Sequence, residues 1–272
     1  MKTLKNHTIL FDAECPMCRV ISKGLVKSGL SSEEASTAYQ QCPEATCPML
    51  DRQRAANEIA LIDHETGEVS YGVESLFKLL AASYPRLRLL FSFAPFIWLM
   101  SKVYAFIAFN RRVIVPPPDK ADRFSLQPTF RLDYRLAYLV ITWLVAVSIF
   151  SAYTQLPGIR FFSEGSYSPF IVLAGLPLFQ GVLFGFIDKD KVWSYLGNLM
   201  TVLAGASVLL LPVLLLARWI NMAPLFYQLY IAFVLILMFL EHQRRSYSLK
   251  MGLKPTLTGT LYMLLSCILF SS

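Results

Sequence analysis

Five apolar segments fill the second half of the chain, at residues 136–154, 167–187, 195–217, 224–240 and 256–270, and none contains Lys, Arg, Asp or Glu. A run of ~20 apolar residues is long enough to cross a bilayer as a helix. The 272-residue chain is 55% hydrophobic and only 16% charged, where a soluble domain carries roughly a quarter charged residues. The expected class is an all-α helical membrane domain of about five spans over residues 136–272.

Charge is distributed unevenly. Residues 1–90 hold 10 Lys and Arg against 11 Asp and Glu, and the remainder holds 15 against 7. The basic excess lies beside the apolar segments. No basic motif interleaved with aromatic residues suggests nucleic acid as a partner, and the lipid bilayer is the expected one. Before the first segment come Arg111, Arg112, Lys120, Arg123, Arg131 and Arg135; the next connection has only Arg160. Lys189 and Lys191 follow, then Arg218 alone, then Arg244, Arg245, Lys250 and Lys254. This alternation of rich and poor loops is what the positive-inside rule requires. It places residues 115–135 in the cytoplasm and the C-terminus outside an inner or plasma membrane. The opening residues lack the apolar stretch of a secretory signal.

Residues 91–110 are long and apolar, but Lys102 sits near their middle and Pro95 interrupts them. The expectation is a helix lying at the membrane surface or packed on the N-terminal module, with that module cytoplasmic. Val115-Pro116-Pro117-Pro118-Asp119 then reads as a stiff spacer. The expected organisation is a domain at 1–112, a proline-rich basic linker at 113–135 and the membrane domain at 136–272.

The N-terminal third reads as α/β. Thr8-Ile9-Leu10-Phe11 is a short strand, Asp12-Ala13-Glu14 a turn, and Pro16 opens a helix to Lys27. A second strand is expected near Ser36, a short helix near Asp51, a hairpin across His64-Glu65-Thr66-Gly67, and a helix over residues 73–83.

This turn and helix start carry the chemistry. Cys15-Pro16-Met17-Cys18 sets two thiols one turn apart where a helix begins. The free N–H groups and dipole at that end favour a thiolate at Cys15, the nucleophile of disulfide exchange. Cys18 is placed to resolve the mixed disulfide, and Pro16 stiffens the turn. Asp12 has two readings, a proton relay near Cys18 or a turn and capping residue. Cys42 and Cys47 also have several: a second redox pair, two inert loop thiols, or half of a zinc site with Cys15 and Cys18. Cys267 reads as a small apolar residue in the last segment.

Phe11-Asp12-Ala13-Glu14-Cys15-Pro16-Met17-Cys18-Arg19 resembles the opening motif of the DCC thiol–disulfide oxidoreductase-like family, roughly [YF]-D-G-x-C-x-x-C. Ala60-Leu61-Ile62-Asp63 with Gly67 and Tyr71-Gly72-Val73 resembles its hairpin and the glycine before its next helix. The segment from Val103 through Tyr104 to Asn110-Arg111 resembles its closing helix. The resemblance covers about residues 8–112. It implies a thioredoxin-like fold and places residues 91–112 within that module. Ala13 stands where the family has glycine, and Asn57-Glu58-Ile59 stands where thioredoxins have a cis-proline.

The segments hold few polar groups. Asn198, Gln180 and Gln228 suit helix–helix hydrogen bonds, and Glu241-His242-Gln243-Arg244-Arg245 an interfacial anchor. No cofactor motif is present. The expected function is a membrane-anchored thiol–disulfide oxidoreductase with a thiol or disulfide protein or small molecule as substrate, and a membrane protein as a candidate partner. The alternatives are a zinc-binding module, or a regulatory module attached to a membrane scaffold or transporter.

Overall fold

The first strand, β1 (His7–Phe11), shows why the N-terminal sheet forms. Side chains alternate across a strand, and both Ile9 and Leu10 are buried. Ile9 packs with Ile59, Leu61 and Leu79 on one face, while Leu10 packs with Tyr39, Ala56, Ala60 and Ile62 on the other. A strand covered on both faces is a sheet centre. The computed structural model describes residues 6–42, 47–117, 126–159 and 167–270.

After β1 come α1 (Pro16–Lys27), β2 (Ser36–Ala38), α2 (Arg52–Asn57), β3 (Ala60–Asp63), β4 (Val69–Tyr71) and α3 (Val73–Ser83). The sheet order is β2-β1-β3-β4. β1 pairs parallel with β2 across α1, a βαβ crossover. It pairs antiparallel with β3, with Ile9 opposite Leu61, and β3 pairs antiparallel with β4. Gly72, with φ +64° and ψ −133°, starts α3 in a conformation open to glycine. A Cβ there would lie 2.6 Å from Glu58 Oε2.

α4 (Arg88–Ser92) and α5 (Ala94–Ile114) follow a short 3-10 turn. Pro95 does not interrupt a helix, as the sequence suggested. It lies in the first turn of α5, where its missing N–H costs nothing. The break falls at Phe93 and bends the pair by 82°. Leu126, Gln127 and Thr129, in the stretch expected as a spacer, are hydrogen-bonded to Tyr39, Gln53 and Asn57. Pro118, Asp119, Lys120 and Arg123 of that stretch lie outside the described residues, as does Arg160.

The chain divides into two compact units, Met1–Tyr134 and Arg135–Ser272. The second is helical: α6 (Leu132–Thr154), α7 (Ser168–Ile187), α8 (Val192–Leu216), α9 (Pro224–Ser248) and α10 (Lys254–Phe270). The first four are long and apolar enough to cross a membrane, and the bent pair of α4 and α5 with its preceding turn raises the count to five if it is one span. The fifth expected segment is a helix, α10, but its 17 residues reach only about 25 Å, short of a ~30 Å hydrocarbon core.

Within this unit α10 packs against α7, where a Cβ on Gly175 would collide with the Tyr262 hydroxyl. Gln180, fully buried, donates to Thr258 Oγ1 and accepts from the Tyr195 hydroxyl. His242 bridges Tyr195 and Thr256, and Asn198 accepts from Arg245 at 2.8 Å. These are helix–helix bonds of the expected kind for Gln180 and Asn198. Gln228 instead donates to the Gly158 carbonyl. Glu241 holds Arg244 and Arg245, each at 2.7 Å.

Candidate functional site at the start of α1

Cys15 is the N-cap of α1, and Pro16 is its first helical residue. The cap residue of a helix faces N–H groups that have no partner within the helix. Here the Cys15 sulfur accepts the Cys18 N–H at 3.3 Å. A thiol thus fills the place usually taken by Ser, Thr, Asp or Asn. Ala13 needs no glycine, because among the described non-glycine residues only Asn6 and Lys250 have positive φ.

Asp12 shapes the turn below. Its Oδ1 accepts from Glu14 N at 3.0 Å and Gln40 Nε2 at 2.9 Å. The first bond is an Asx turn, which bends the chain from β1 into α1. Its Oδ2 takes Arg111 Nη2 at 2.8 Å, in an ion pair whose side chains are 5% and 2% exposed. Arg112 stands 3.9 Å from the same oxygen and 3.7 Å from Glu14. Both carboxylate oxygens are therefore engaged. The turn reading of Asp12 is what the geometry shows, with an added task of holding a buried arginine.

Arg111 is the residue that sequence reasoning did not place in the site. Its guanidinium also donates to the carbonyls of Ala56 and Asn57. Those carbonyls end α2, so a single planar fork ties β1, α2 and α5 together. Nearby, the Tyr104 hydroxyl accepts the Ile59 N–H at 2.9 Å, and Asn110 donates to the Phe106 and Tyr134 carbonyls. The closing-helix residues Tyr104, Asn110 and Arg111 are thus the ones that fasten α5. The signal available was a buried acid after the first strand, which demands a cation. The sequence does not say which of many basic residues supplies it.

The electrostatics separate the two thiols. Hydrogen bonding with the Cys18 side chain draws the Cys15 thiol down from 9.0 to about 6; Arg111 and the Cys18 N–H act in the same direction, against burial and Asp12. The same hydrogen bond, followed by burial, pushes Cys18 well above the ordinary thiol range. Cys15 is thus the more acidic of the two thiols, and Cys18 the less acidic. Both cysteines are free thiols and both are buried, Cys15 to 1% exposure. A reaction partner must displace neighbouring side chains to reach the sulfur.

Cys42 and Cys47 are joined in a disulfide, while the intervening Pro43, Glu44, Ala45 and Thr46 lie outside the described residues. Both half-cystines pack against the cluster around Tyr39, Leu50 and Tyr71. Bonded to each other, the two sulfurs are not thiolate ligands in this state. Among the described residues no three His, Cys, Asp or Glu side chains converge as a metal site. Cys267 is a free thiol in α10. No family model, curated protein or solved structure matches the chain.

Proposed function

We propose that the chain is a membrane-anchored thiol–disulfide oxidoreductase whose working pair is Cys15 and Cys18. The observation that carries this reading is the placement of the Cys15 sulfur at the N-cap of α1, accepting the Cys18 N–H. The sheet order, the crossover through α1 and the roles of Tyr104, Asn110 and Arg111 support a thioredoxin-like module akin to the DCC family.

The chemistry balances with the residues in hand. The Cys15 thiolate attacks one sulfur of a substrate disulfide, forming a mixed disulfide and expelling the other substrate sulfur as a thiolate. Cys18 then loses its proton and attacks the Cys15 sulfur. A Cys15–Cys18 disulfide forms, and the second substrate sulfur leaves and is protonated. Two electrons pass from the protein dithiol to the substrate; the reverse sequence oxidises a substrate dithiol. Pro16 holds the turn, and Asp12 positions Arg111.

The substrate is a thiol or disulfide protein or small molecule. The helices of the second unit anchor the enzyme in an inner or plasma membrane, with the alternation of basic loops favouring a cytoplasmic module and an external C-terminus. The deciding experiment is a redox titration of the purified chain, with stepwise alkylation and mass readout of each cysteine. Reversible two-electron cycling of Cys15 with Cys18 is the expected result. Failure of that pair to oxidise under any poise that oxidises dithiothreitol overturns the reading.

A further inference from the structure

The N-terminal unit carries an apolar face that its own fold leaves uncovered. From Tyr84 to Leu90 every residue is exposed, with Leu89 at 85%. Phe93 is exposed at the bend, and Trp98, Leu99, Val103 and Ile107 continue along α5, with Trp98 at 64%. Residues three and four apart share a helix face, so Leu99, Val103 and Ile107 make one stripe, and Trp98 lies at its edge beside Leu99, one turn before the exposed Lys102.

Other side chains along α5 fasten it to the rest of the unit. Phe96 stacks on Phe77 at 5.4 Å, Tyr104 takes the Ile59 N–H, and Arg111 holds Asp12. The helix cannot rotate its bare stripe inward without losing those bonds. Nor can it be ringed by lipid while these side chains hold it to the unit. A contiguous exposed patch of this kind marks a binding surface.

The charges select the occupant. Arg86, Arg88 and Lys102 are exposed on the same segment and form no ion pair among the described residues. Between Glu74 and Asp119 the sequence has no acidic residue at all. Bulky apolar side chains beside unopposed cations suit the boundary between acyl chains and anionic headgroups. Trp98 is the residue type favoured at that depth, and Lys102 is long enough to reach the headgroups from it. The chain is already bound to a bilayer if its four long apolar helices cross one.

We propose that the turn at Pro85–Leu87, α4 and the exposed stripe of α5 form a lipid-binding surface that lies in the bilayer interface and prefers anionic lipid. This surface does not depend on the thiol reading. The test places the full-length protein in phosphatidylcholine–phosphatidylglycerol vesicles whose acyl chains carry bromine either near the headgroups or near the bilayer centre. The emission of the Trp98→Phe variant, subtracted from that of the native chain, isolates Trp98. The expected difference spectrum is blue-shifted and quenched most by shallow bromines, at a depth of ~5–10 Å. In pure phosphatidylcholine the shallow quenching weakens. A Trp98 signal unquenched by either lipid, as from a water-exposed or protein-covered face, overturns the proposal. So does quenching strongest at the bilayer centre, which would make the segment a span. Equal quenching with and without phosphatidylglycerol removes the anionic preference.

Discussion

The two cysteine pairs of the N-terminal unit sit in opposite settings. Cys15 and Cys18 are free thiols at the start of a regular helix, joined to the unit's charge network through Asp12 and Arg111. Cys42 and Cys47 are closed on each other between a 3-10 turn and α2, packed against aromatic and aliphatic side chains. What separates them is the helix end and the buried cation, not sulfur spacing alone. The first setting is the one on which the proposed exchange rests, and the second holds a cross-link.

The comparison is broken most sharply by removing the nucleophile. Cys15→Ser is expected to abolish dithiol exchange, measured by mixed-disulfide trapping, while Cys42→Ser leaves it in place. Residual exchange in Cys15→Ser equal to the native chain would transfer the chemistry to the other pair. Next in size is Arg111→Leu, which strands the Asp12 carboxylate. Loss of one partner of a buried ion pair costs ~3–5 kcal/mol, read by denaturant unfolding of the N-terminal unit. In Arg111→Lys the charge is kept but the fork to Ala56 and Asn57 is lost, so the Cys15 thiol stays acidic while stability falls.

Opening the second pair is a smaller change. Cys42→Ser with Cys47→Ser removes a short loop closure worth about 2 kcal/mol, with Cys15 alkylation unchanged. A large change in Cys15 reactivity would instead show the two pairs to be coupled. The smallest effect is the pH profile. Since Cys15 is drawn down to about 6, its thiolate persists above that value and is lost as pH falls through it. Alkylation of Cys15 by iodoacetamide is expected to fall about tenfold from neutral pH to one unit below that midpoint. A midpoint near 9 would leave the helix start without effect on the sulfur.

Local pattern made much of the N-terminal architecture legible. Thr8 to Phe11, Pro16, the turn before Gly67 and the apolar side of residues 73–83 each follow short-range rules of alternation, capping and turn chemistry. The structure shows each within a residue or two. Tertiary choices were not legible. The Asp12–Arg111 bond joins residues 99 apart, and nothing near either residue announces the other. Whether Cys42 meets Cys47 depends on how a loop folds back, not on the spacing itself. Pro95 illustrates a further limit: the residue type is the same whether it breaks a helix or begins one, and the bend at Phe93 decides. In the second unit, lack of charge revealed the helices, yet the reach of α10 depended on where Lys254 and Pro255 let it begin.

The long interval between Asp12 and Arg111 also has a consequence for biosynthesis. A ribosome releases the cysteine helix well before it has made the arginine that completes its surroundings. Until α5 has emerged and docked, the nascent segment holds two thiols beside an uncompensated carboxylate, which disfavours the anionic sulfur. The turn that carries Cys15 thus receives its buried cation only once the first unit is whole.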